Sequence, residues 1–170
     1  MLATRQDPEE LLKQVEWPTL FFFMGLFIIV GGLEKTGVIS TIADKMLAVT
    51  QGEVQPTMQF VLWLSALSTT VINSIPYTAT MISLIENMAG NLSGDIEPLW
   101  WALSLGACFG GNGTIIGAAA NIIVAGFTQK TSTPLRFRDY VKVGLPLMLV
   151  SIGLVSIYLY VKYSFLFPLN

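Results

Sequence analysis

Residues 110–121 read Gly-Gly-Asn-Gly-Thr-Ile-Ile-Gly-Ala-Ala-Ala-Asn, inside an otherwise apolar stretch from Pro98 to Thr128. Each helix-weakening residue in the Gly110–Thr114 run costs a helix roughly 0.5–1 kcal/mol, so the run predicts a break. A second apolar stretch, Thr57 to Ala89, is interrupted in the same way by Asn73-Ser74-Ile75-Pro76. One membrane helix needs only about 20 apolar residues, so each stretch is too long for one ordinary span. Backbone that leaves the helix at membrane depth must be satisfied by protein, ions or a wet cavity. Paired Gly- or Pro-interrupted apolar segments point to the binding site of a transporter.

The rest of the composition agrees. Of the 170 residues, 53% are hydrophobic and 12% charged, against roughly 25% charged in a soluble domain. The class is a polytopic all-α membrane protein. The net charge of -2 argues for no nucleic-acid partner. There is no histidine, and the single cysteine, Cys108, excludes an internal disulfide and any multi-cysteine metal site. Cys108 reads as a small packing residue. No catalytic base constellation is present, so an enzyme is not expected.

Working outward from the breaks, residues 1–15 read as a polar lead-in and not a signal peptide, because no apolar core precedes Trp17. Trp17 to Thr36 has spanning length, with Trp17 at headgroup level and Pro18 in the first helical turn. Residues 38–51 alternate apolar and polar at helical spacing and predict an interfacial helix ended by Gly52 to Pro56. Thr57–Asn73 and Thr78–Ala89 predict helical arms of about 25 Å and about 18 Å, each short of the roughly 30 Å hydrocarbon core. They form either a re-entrant hairpin or one kinked span. Leu99–Gly110 and Thr114–Thr128 predict the halves of a discontinuous helix. Tyr140 to Tyr163 predicts a final span that Pro146 kinks.

The loop at 129–142 carries Lys130, Arg136, Arg138 and Lys142 against Asp139 alone and is expected to be cytoplasmic. That puts the acidic turn at 90–97 and the C-terminus outside. Charge tallies are equal for the hairpin and the full crossing.

The candidate site gathers the polar groups of both breaks: Asn73, Ser74 and Thr78 at the first, with Gly111, Asn112, Gly113 and Thr114 at the second. Asn121 either joins them or bonds a neighbouring helix. Amide carbonyls and hydroxyls suit a dehydrated Na⁺, placed by expectation at Asn73, Ser74, Asn112 and Thr114. Half-helices starting near Thr78 and Thr114 would point positive ends at an anion, and those ending near Asn73 and Gly110 would point carbonyls at a cation. No Asp, Glu, Lys, Arg or His lies between Thr57 and Ile85 or from Leu99 to Gln129, so proton coupling would need a residue from elsewhere. No cofactor is expected. The blander reading of single small residues is helix packing, including Gly110-x-x-x-Thr114 and Gly113-x-x-x-Gly117 as dimer faces.

Three motifs carry a family resemblance: Glu16-Trp-Pro-Thr-Leu with Gly25-Leu-Phe-Ile-Ile-Val-Gly-Gly-Leu-Glu-Lys-Thr-Gly37, Asn73-Ser-Ile-Pro-Tyr-Thr-Ala-Thr80, and Gly110 to Asn121. Together they resemble the citrate transporter-like domain of the ion transporter superfamily. That group takes in arsenical pump membrane proteins, sodium/proton antiporters, the melanosomal P protein and dicarboxylate carriers. The likeness covers about residues 16–165, with 166–170 a tail.

The resemblance implies half of an inverted-repeat carrier, specifically its C-terminal repeat. That half would hold two spanning helices, one interfacial helix, one re-entrant hairpin and one discontinuous helix. It favours the hairpin over the crossing and implies alternating access in a cytoplasmic membrane. The substrate would be a small anion or inorganic ion, and a first-repeat polypeptide or a homo-oligomer would complete the site. The alternative is a truncated, non-transporting remnant or an assembly subunit. Many relatives carry an Asp-Asn pair where this chain has Asn73-Ser74.

Overall fold

The computed structural model describes residues 21, 24–25, 27–29, 31–32, 35–129 and 134–166. The expected lead-in at 1–15 and most of the tail lie outside these residues, as does much of the span from Trp17. The described positions from 21 to 32, and Lys35, are helical. Six further α-helices follow: α1 (Val38–Thr50), α2 (Val54–Val71), α3 (Ser74–Ala89), α4 (Glu97–Gly110), α5 (Ala119–Thr128) and α6 (Phe137–Val161). A π-helical turn over Lys162–Leu166 extends α6.

The apolar period of each helix fixes its neighbour. Buried positions in α2 recur as Val54, Thr57/Met58, Val61/Leu62, Ser65/Ala66 and Thr69/Thr70, and in α4 as Leu99, Ala102/Leu103, Gly106/Ala107 and Gly110. Both series follow the 3.6-residue repeat, so each helix presents one stripe. The stripes face each other, and α2 with α4 is the most extensive helix pair among the described elements. The two run parallel, Gly106 lying against Leu62 and Ser65 and Gly110 against Ala66 and Thr69. A Cβ on Gly106 would lie 2.6 Å from the Leu62 carbonyl oxygen, so only glycine allows this approach. Small residues bringing backbones together is how helices pack without a hydrophobic drive from water.

Helix α6 runs antiparallel to this pair. Gln59 of α2 donates to the Ser156 carbonyl (3.0 Å) and accepts from the Ser156 hydroxyl (2.6 Å), while Gln55 donates to Ser164. Of α6, only Met148, Ile152 and Leu159 are buried. Among the described residues, the α6 segment from Phe137 to Phe165 alone is long and apolar enough to cross a membrane. Pro146 lies inside α6 without ending it.

Arms α2 and α3 fold back on each other. The Ser93 N–H donates to the Gly52 carbonyl (3.0 Å), so the far end of α3 returns to the start of α2. Helix α1 buries Ile39, Ala43, Met46 and Thr50 and packs mainly on α3, leaving Val38, Ile42 and Val49 exposed.

Several expected boundaries move. Helix α2 starts at Val54, so Pro56 sits in its first turn, where its missing N–H costs nothing. Helix α3 starts at Ser74 and not Thr78, with Pro76 again in the first turn and Asn73 as N-cap. The first break is therefore confined to Ile72 and Asn73. The second is wider than expected: α5 starts at Ala119 and not Thr114, leaving residues 111–118 outside any helix.

Candidate functional site

The second break is held by donors from three directions. Because α2 and α4 run parallel, their C-terminal carbonyls, which carry partial negative charge, end side by side. The Thr70 hydroxyl, on a side chain 6% exposed, lies 3.1 Å from the Gly110 carbonyl oxygen. The Thr114 hydroxyl donates to the Thr70 carbonyl (2.5 Å) and accepts from the Gly117 N–H (3.2 Å). The Asn121 amide donates to the carbonyls of Gly111 (3.0 Å) and Thr114 (3.1 Å). With two carbonyls opposite it, the NH₂ must be the atom that faces them, and Oδ1 points away.

Glycine permits the close fit of this segment. A Cβ on Gly117 would lie 2.7 Å from both the Gly111 and Thr69 carbonyl oxygens. One on Gly144 of α6 would lie 2.7 Å from the Asn112 carbonyl oxygen. Residues 111–118 thus rest on the end of α2 and the first turns of α6. Gly117 seats the segment against the Thr69 carbonyl, where a larger residue would clash.

At the first break, Asn73 Oδ1 accepts from the Ile75 N–H (3.1 Å), capping α3. Beyond it lies a cavity of about 720 Å³, walled by α3, by α4 and by Phe27 and Gly31. Its polar groups are the hydroxyls of Ser74, Thr78, Ser83 and Ser104 and the Cys108 thiol. Elsewhere the helical hydroxyls turn back on their own helix: Thr50, Thr69, Thr70, Thr80 and Ser151 each reach the carbonyl four residues earlier. Thr78, Ser83 and Ser104, which line the cavity, make no such bond.

The residues singled out in sequence therefore divide. Ser74 and Thr78 line the cavity. Gly111, Gly113, Thr114 and Asn121 build the break, in which Gly111 and Gly113 are buried. Asn112 is exposed and its side chain makes no hydrogen bond. Both breaks meet the same end of α2: Thr70 contacts Gly110, Gly113 and Thr114, and the chain turns into α3 just beyond it. Thr69, Thr70, Ser83, Ser104 and Gly144 were not anticipated. Thr69 and Thr70 look in sequence like ordinary helical threonines. Gly144 shows its role only across the chain. Ser104 carries one usable signal, a hydroxyl in an apolar helix facing the break.

Of the ionisable side chains described, Glu97, Lys162 and Tyr163 gather at the far end of the bundle. There the Trp101 indole N–H donates to Glu97 (2.9 Å) and the Lys162 Nζ lies 5.0 Å from the Trp101 ring centre. Along the chain neither break has a charged residue near it, none lying between Thr57 and Ile85 or from Leu99 to Gln129.

Comparison with known proteins accords with this architecture. A family model described as a citrate transporter matches residues 1–106. An uncharacterised transporter of Mycobacterium bovis is 42% identical over 156 residues, covering 91% of this chain and 36% of the relative. A 46 kDa membrane protein of Mycobacterium leprae is 36% identical over 96% of this chain and 38% of its own length. The P protein of Sus scrofa is 37% identical over 96% of this chain and 20% of its own length. The chain thus spans well under half the length of these relatives. No solved structure matches. A break-bearing helical bundle, a family model over most of the chain and relatives named as transporters, not enzymes, lead to one assignment: the chain belongs to the citrate transporter family.

Proposed function

We propose that this chain forms the C-terminal half of a secondary active transporter that moves a small anion or inorganic ion by alternating access. The observation that carries the reading is the unwound segment 111–118 packed on the end of α2, from which the first break leads into a cavity lined by Ser74, Thr78, Ser83 and Ser104. Irregular backbone at membrane depth is tolerated where protein or a wet cavity satisfies it, and this segment meets that condition. In this reading α2 and α3, about 27 Å and 24 Å long on the helical rise, enter the bilayer as a re-entrant hairpin and return to the same face. The hairpin and the broken helix α4–α5 then move against the remaining helices.

The coupling ion we propose is Na⁺, as a transported partner and not a resident group. Paired helix C-termini attract a cation, and neutral oxygens replace its hydration shell. Of the oxygens expected to hold it, Asn73 Oδ1 and Thr114 Oγ already bond within the protein, while Ser74 and Asn112 stay uncommitted. The main-chain carbonyls of Gly110 and Thr70 supply further oxygens. The site is shared with a first-repeat polypeptide or a second copy of this chain. The location is the cytoplasmic membrane, with the loop at 129–142 inside and the acidic turn at 90–97 outside.

The test is flux into proteoliposomes carrying this chain alone, then with a first-repeat partner, using ²²Na⁺, labelled citrate and arsenite. The proposal expects flux with the partner, or with this chain alone where a second copy completes the site. Because the chain spans 36% of its mycobacterial relative, the second reading is a non-transporting remnant or assembly subunit. No flux in either case, with both polypeptides folded, would establish that reading.

A further inference from the structure

We infer that Thr70 is a positioning residue, a hydroxyl latch that fastens the second break to the first and can release it without leaving a buried donor unpaired. Thr70 touches Gly110, Gly113 and Thr114 of the Gly-Gly-Asn-Gly-Thr run. It is also separated from the first break only by Val71.

The contacts are reciprocal. The side chain of Thr70 reaches the last carbonyl of α4, and the side chain of Thr114 reaches the carbonyl of Thr70 near the end of α2. Thr70 places a donor on the negative end of α4 and Thr114 places one on that of α2, where two parallel C-termini would otherwise repel. A Cβ on Gly113 would lie 2.8 Å from the Thr70 methyl and 2.9 Å from its hydroxyl, so glycine lets the latch seat.

The release follows from counting protons. Thr70 Oγ1 lies 2.8 Å from the Ala66 carbonyl of its own helix and 3.1 Å from that of Gly110. A hydroxyl has one proton, so it serves one carbonyl fully or divides between the two. Turned towards Ala66, the donor remains satisfied. The Gly110 carbonyl keeps the Gly113 N–H (3.0 Å) and gains an open lone pair. Release therefore gives up the net worth of one bond but avoids the added penalty of a stranded partner. Moving one proton releases one of the two threonine ties, leaving the Thr114 bond to the Thr70 carbonyl, and presents a carbonyl lone pair to whatever occupies the break.

This latch stands on the geometry of the chain itself; only its bearing on transport rests on the proposed carrier. Its test needs no flux. Hydrogen–deuterium exchange is followed by mass spectrometry on the full chain in lipid nanodiscs, comparing wild type, Thr70→Val and Thr70→Ser. Thr70→Val keeps the shape and removes the proton, and should speed exchange across 111–117 about fivefold, the worth of one buried hydrogen bond. Peptides from α6 should be unchanged. Thr70→Ser keeps the hydroxyl and should restore wild-type exchange. Unchanged exchange in Thr70→Val would overturn the latch. So would equal loosening in Thr70→Ser, which would make methyl packing the cause, or loosening spread equally over α6.

Discussion

Replacing Gly106 by alanine should separate the two helices on which the whole site stands. The added Cβ would fall 2.6 Å from the Leu62 carbonyl oxygen and 2.8 Å from the Ser65 Cβ. Attractive contact lies near 3.5–4.0 Å, so α4 must retreat by about 1 Å. A gap of that size forfeits a quarter to a half of each dispersion contact along the interface. That interface includes Leu62, Ala66, Ala102 and Leu103, all buried. Overpacking of this kind costs roughly 1–3 kcal/mol, and a mid-range value of about 2 kcal/mol raises the unfolding constant roughly thirtyfold. The control is Gly153→Ala in α6, where the new Cβ meets nothing within 4 Å. There the better helix former should be neutral or stabilising by about 0.5–1 kcal/mol. Equilibrium unfolding in mixed micelles, followed by tryptophan fluorescence, compares the two. If Gly106→Ala unfolds no more readily than Gly153→Ala, the close parallel approach of α2 and α4 is wrong.

Three further outcomes follow from the site. Asn121→Ala removes two hydrogen bonds to carbonyls of the break and should loosen residues 111–118 by about 1–3 kcal/mol, read as faster local hydrogen exchange with α6 unaffected. Asn112→Ala should abolish flux in a complete reconstituted transporter without lowering its expression, because its side chain supports no structure here; wild-type flux would remove Asn112 from the site. Cys108, facing the cavity, should react with a small maleimide in intact membranes, and Ser104→Phe should slow that reaction several-fold by filling the space; equal rates would place the thiol elsewhere.

Much of the architecture is legible because the patterns are local. The run of four helix-weakening residues after Gly110 makes a helix end there expensive to avoid, so Gly110 as the end of α4 follows from composition. The amphipathic period of 38–51 yields α1 almost to the residue. At the first break the sequence held more than was read from it. Asparagine followed by a proline inside the next turn is a helix start, and it places α3 at Ser74. The Gly106-x-x-x-Gly110 spacing likewise signals the α2–α4 contact and was passed over for patterns further along.

What stays hidden is non-local. Nothing near Gly117 says that it must meet the Thr69 carbonyl, a contact only glycine allows. The roles of Thr69, Thr70 and Gly144 depend on partners tens of residues away. Charge counting leaves the path of residues 57–89 open, and the one main-chain bond that joins Ser93 to Gly52 leaves no trace in any side-chain charge. Asn121, open in sequence between a site role and a helix contact, bonds within its own broken segment.

The account stands or falls on the second break resting against the end of α2. A Cβ at position 113 would sit within 3 Å of the Thr70 side chain, a placement that suits the roughly 3.5–4.5 Å Cβ separation of a disulfide. With Cys108→Ser as background, Thr70→Cys/Gly113→Cys should cross-link rapidly under mild oxidation in native membranes, seen as a linked peptide pair by mass spectrometry. The control pair Val71→Cys/Gly113→Cys, with position 71 exposed, should lag far behind. Equal or absent cross-linking in the two pairs would contradict the convergence of the breaks.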